Sequence, residues 1–97
     1  MSPFKKKKLY KIRLELDKLD IQLLKIIKKR TNLVKKVLAL KEKKNQIVDK
    51  KRISSILRNI KKKSLKNNID PKITNKIWKN MIYAYIDFER RNFNKKK

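Results

Sequence analysis

Apolar residues at positions 9, 12, 16, 19, 23, 26, 33, 37 and 40 advance in alternating steps of three and four, with Arg30 in the slot between 26 and 33. That period is a heptad-like helical seam, and no other feature of the chain constrains its fold as strongly. It predicts one helix over about residues 8–43, roughly 50 Å long at the α-helical rise. A compact chain of 97 residues has a radius of gyration near ~13 Å, so a lone copy cannot cover such a helix. The expected solution is a homodimer in which two long helices pack along one another.

The rest of the chain is also helical by its pattern. There is no glycine, and the only prolines are Pro3 and Pro71, a composition that favours long helices over turn-rich sheets. Residues 43–52 interrupt the seam. Asp49 is placed to N-cap a short second helix, in which Ile53, Ile56, Leu57 and Ile60 recur at helical spacing and Lys61–Lys63 suit the negative end of the dipole. A polar connection is expected over 64–69. Asp70 and Pro71 then open a third helix over 71–92. Ile73, Ile77, Met81, Tyr85 and Phe88 lie along one side of it. The expected fold class is all-α: three helices, long, short and long. Residues 1–7 and 94–97 read as frayed basic tails around a domain of residues 8–93.

Composition removes several kinds of chemistry. Without cysteine or histidine there is no disulfide framework, no thiolate metal site and no Ser-His-Asp triad, so no metal is expected. Without glycine there is no phosphate-cradling Gly-rich loop. The formal charge of +24, from 32 basic and 8 acidic residues, suggests a nucleic acid or an anionic membrane as partner. Lys, Ile and Asn share AT-rich codons, however, so the charge also reads as a composition bias, and specific nucleic-acid binding is not expected. No apolar run approaches the ~20 residues of a membrane span. A soluble cytoplasmic protein is expected.

Some polar residues do not fit a plain coiled-coil seam. Wound at about 100° per residue, Arg30 falls at the centre of the apolar stripe, and Lys41 lies about 20° from it. A buried guanidinium needs a charged partner. Asp17 and Asp20 sit well off its line, so an anionic ligand inside the bundle would satisfy Arg30, with Lys41 further along the same face. Arg13 lies about 100° away. In a long antiparallel dimer it could reach the partner's pocket. Tyr85 and Glu89 share a face of the third helix, with Glu89 where that face should be apolar; a surface Glu paired with a lysine is the other reading. Asp49 and Arg52 begin the second helix, and they also read as a cap plus a solvated arginine.

Taken together, these positions resemble the all-helical, AroQ-type chorismate mutase family. "IRLELDKLDIQLLKIIKKR" is similar to its opening pattern, "LALKEKKNQIVDKKR" to its Lys followed by a V-x-D-x-x-R-like motif, and "IWKNMIYAYIDFERRNF" to its C-terminal catalytic helix. The resemblance spans about residues 9–93. It implies an intertwined helical homodimer with composite active sites that rearranges chorismate to prephenate, toward phenylalanine and tyrosine. No cofactor is implied. By resemblance, Arg30 binds one substrate carboxylate, and Arg13 of the partner subunit binds the other. Lys41 contacts a carboxylate and the ether oxygen. Asp49 orients the site near the substrate hydroxyl, and Arg52 supports a carboxylate or the Asp49 turn. Tyr85 stands where Ser is frequent. Glu89 stands where a Gln usually donates to the ether oxygen, and it can donate only when protonated. Ile53 replaces a common hydroxyl-binding Glu. Ile53 and Tyr85 are closer to the isochorismate pyruvate-lyases, which share the fold. Asp49 and the absence of a Pro-rich loop point back to the mutases.

Overall fold

The structure is a computed structural model that describes residues 1–95. It is all-α, with helices α1 (Pro3–Leu40), α2 (Lys50–Lys66) and α3 (Pro71–Asn92), and short 3₁₀ turns at Lys44–Gln46 and Phe93–Lys95. No strand occurs among the described residues. The chain divides into two compact units, residues 1–33 and 34–97.

The first unit is the long N-terminal part of α1. The helix starts at Pro3 rather than near residue 8, so Lys5–Lys8 are helical and the expected N-terminal tail is corrected. The reason is local. The Ser2 hydroxyl accepts from the Lys5 amide at 3.3 Å and its carbonyl from the Lys6 amide at 2.9 Å. Pro3 follows at the first helical position, where a missing N–H costs nothing. The Lys8 ammonium lies 4.9 Å from the centre of the Phe4 ring one turn earlier. The seam residues Leu16, Leu19, Leu23 and Ile26 are each more than half exposed. Arg30 is half-buried.

The second unit contains the last turns of α1 and all of α2 and α3, which pack against each other. Asp49 caps α2 as expected: its Oδ1 accepts from the Arg52 amide at 3.0 Å. Helix α2 runs on to Lys66, three residues into the expected polar connection over 64–69. The Ser64 hydroxyl lies 2.6 Å from the Ile60 carbonyl and 2.7 Å from the Thr74 hydroxyl, and both Ser64 and Thr74 are buried. This satisfied polar pair joins the end of α2 to the start of α3, so the first half of the expected connection, residues 64–66, is helix and 67–69 make the turn. The turn out of α2 uses Asn68 at φ 57°. The Asn68 amide donates to Leu65 at 3.3 Å and the Ile69 amide to Ser64 at 2.8 Å, the Schellman pattern with Asn in a place that glycine usually takes.

Helix α3 starts where Asp70 and Pro71 predict, with Asp70 Oδ1 accepting from the Lys72 amide at 2.9 Å. Its inward face is rotated from the expected one. Ile73 and Ile77 are more than half exposed, whereas Thr74, Ile86 and Glu89 are buried. Trp78, Met81, Ile82, Tyr85 and Phe88 are half-buried between these extremes. Leu38, Ile47 and Ile86 are the buried apolar residues. Of the expected C-terminal tail 94–97, residues 96 and 97 lie outside the described residues.

Candidate active site

The structure brings the site residues Lys41 and Glu89 into contact. Helix α1 ends at Leu40, three residues before the expected 43, so Lys41 lies just past the helix rather than on its face. Its amide donates to the Leu38 carbonyl at 3.1 Å, a tightened final turn. The next two amides leave the helical ladder for a side chain. Gln46 Oε1 accepts from Glu42 N at 2.7 Å and from Lys43 N at 3.0 Å. The chain then folds through the 3₁₀ turn and drops Ile47 into the interior at 4% exposure.

This turn aims the Lys41 ammonium inward. Nζ donates to Glu89 Oε1 at 2.9 Å and to the Ile47 carbonyl at 3.4 Å. The lysine side chain is 18% exposed and that of Glu89 only 7%. A carboxylate so deeply buried needs an opposite charge close by, and the ammonium supplies it. Glu89 is therefore not the surface glutamate of the alternative reading. The ammonium has three donors, so two are engaged by the protein and a bound anion can take the third.

The other candidates divide by place. Tyr85, half-buried, stands one turn before Glu89 on α3, its ring edge-on to Phe88 with centres 6.5 Å apart and planes at 85°. The Asp49 carboxylate is engaged in its cap, and Arg52 is exposed in the first turn of α2. That arrangement agrees with the plainer reading of a cap and a solvated arginine. Arg13, exposed, and Arg30, half-buried, lie on α1 within the first unit. No cluster of three or more His, Cys, Asp or Glu side chains able to hold a metal occurs among the described residues.

Sequence reasoning missed Gln46 and the Ile47 carbonyl. A trace of the first was visible: a Gln three residues after Lys43 is placed to reach back to that residue's amide, as in a capping box. The carbonyl has no side-chain signature.

The family described as chorismate mutase type II matches residues 12–90 of the chain. No curated protein and no solved structure matches it.

Proposed function

We propose that this chain, which belongs to the chorismate mutase type II family, rearranges chorismate to prephenate. The reaction is unimolecular: one C–O bond breaks as one C–C bond forms, with no nucleophile and no group transferred to the protein. Its catalyst must hold a dicarboxylate in the reactive conformer and stabilise charge that appears only in the transition state. The observation that carries this reading is the buried Lys41–Glu89 pair at 2.9 Å. As the ether C–O bond lengthens, its oxygen gains negative charge. An ammonium already oriented by a carboxylate and a carbonyl stabilises that charge without reorganising.

The remaining roles follow the resemblance. Arg30 offers a planar fork to one carboxylate, and Arg13 of the partner subunit to the other. Asp49 orients the site near the substrate hydroxyl, Arg52 supports a carboxylate or the Asp49 turn, and Tyr85 lines the α3 side. The homodimer this requires is supported by the exposed seam of α1. Leu33 is 59% and Val37 49% exposed, like the seam positions before them, and a second α1 would cover such an apolar stripe.

The direct test is to incubate the protein separately with chorismate and with isochorismate. Prephenate from the first, with no salicylate or pyruvate from the second, is the expected result. The opposite pattern would assign the isochorismate pyruvate-lyase reaction, the second reading. It is favoured by Ile53 and Tyr85, which resemble the lyases at those two positions.

A further inference from the structure

The turn after α1 is closed by one side chain. Gln46 Oε1 takes two backbone amides, those of Glu42 at 2.7 Å and Lys43 at 3.0 Å. These are the two residues immediately after Lys41. The amide of Gln46 itself donates to the Lys43 carbonyl at 3.1 Å, and that of Ile47 to the Lys44 carbonyl at 3.1 Å. The segment is thereby drawn into a small ring, with Gln46 fastening its start to its end. The residue after Gln46 is Ile47, whose side chain is buried and whose carbonyl accepts from Lys41 Nζ at 3.4 Å. The same ammonium meets Glu89 at 2.9 Å.

We infer that Gln46 is a positioning residue: by closing the 41–47 turn it holds the Ile47 carbonyl against the Lys41 ammonium and so aims that ammonium at the reacting oxygen. The inference rests on the role proposed above for Lys41. Its physical basis is that a flexible lysine has many rotamers, and a single ion pair to Glu89 leaves the ammonium free to swing about the carboxylate oxygen. A second acceptor fixed in the backbone removes that freedom. The amides of Glu42 and Lys43 need an acceptor where the chain leaves the helix, and the Gln46 side chain supplies it. Gln46 is itself exposed, and its side-chain oxygen bonds the backbone of the turn. Its effect passes through the backbone.

The test compares Gln46→Leu, which keeps the bulk and loses the acceptor, with Gln46→Glu, which keeps an oxygen able to take both amides. In Gln46→Leu, kcat is expected to fall about tenfold with KM nearly unchanged, because the ether-oxygen contact belongs to the transition state and the carboxylate contacts belong to binding. Gln46→Glu is expected to restore kcat to near the wild-type value. A turn that mattered only for stability would lower the melting temperature and the active fraction, with no restoration specific to an acceptor and no change in kcat per folded site. A second readout does not depend on turnover. The amides of Glu42 and Lys43 should lose protection from hydrogen exchange in Gln46→Leu and keep it in Gln46→Glu. The NMR signal of the Lys41 ammonium should shift only in Gln46→Leu. An unshifted ammonium signal in Gln46→Leu, or an unchanged kcat in an active protein, overturns the inference. A wild type without turnover on chorismate overturns the proposed function instead, and the ammonium signal alone then decides the role of Gln46.

Discussion

Replacing Lys41 with alanine is expected to lower turnover of chorismate by on the order of a thousandfold, the range seen when one pre-oriented donor to a developing oxyanion is removed. Substrate affinity should fall less if Arg13 and Arg30 hold the carboxylates as proposed. The substitution has a second effect that must be separated from the first. It leaves Glu89, 6% exposed, as a buried carboxylate whose ion-pair partner is gone. Breaking a buried pair in this way costs about 3–5 kcal/mol. Lys41→Ala should therefore also unfold at lower denaturant concentration. The double substitution Lys41→Ala with Glu89→Gln removes the stranded charge. It is expected to recover much of the stability and none of the activity. Denaturant titration alongside single-turnover rates separates the two. Activity that returned with stability would make the pair a structural element and remove Lys41 from the chemistry.

Arg30→Ala is expected to lower rearrangement sharply while the protein remains helical by circular dichroism and keeps the wild-type oligomeric state by light scattering. Arg30 sits in the slot of the seam between Ile26 and Leu33 and is half-buried. If it takes a substrate carboxylate, its loss removes a bidentate, charge-assisted contact from a partly dehydrated site, worth roughly 2–5 kcal/mol. That corresponds to a rate loss of about thirty- to several-thousandfold at low substrate. A purely structural arginine predicts the reverse: a changed melting temperature with turnover per folded protein intact. Wild-type turnover in Arg30→Ala would sink the assignment of Arg30.

The local signals of the chain were legible because each is complete within a few residues. Asp49 and Asp70 cap α2 and α3 where their positions predicted, and Pro71 opens α3. Ser2-Pro3 carries the same kind of signal at the start of α1, where the Ser2 hydroxyl accepts from the Lys5 amide. The end of α1 was not legible. By periodicity Leu40 and Lys41 continue the helix, but the acceptor that draws the chain out of it is the Gln46 side chain, a few residues ahead. The face of α3 was misjudged for a different reason. Periodicity ranks Ile73 and Ile77 as inward, yet the helix turns by what its neighbour offers. Thr74 meets Ser64 at 2.7 Å, which leaves the two isoleucines exposed.

The sequence by itself determined that the chain is helical, where two of its helices begin, and which charged residues are out of place on apolar faces. Those properties depend on side chains three or four positions apart, or on a cap and its first turn. Only the tertiary structure decided that Lys41 and Glu89, 48 residues apart, form one buried pair at 2.9 Å. That choice rests on desolvation. A carboxylate carried into the interior on α3 must find a cation, and the turn closed by Gln46 is what delivers one.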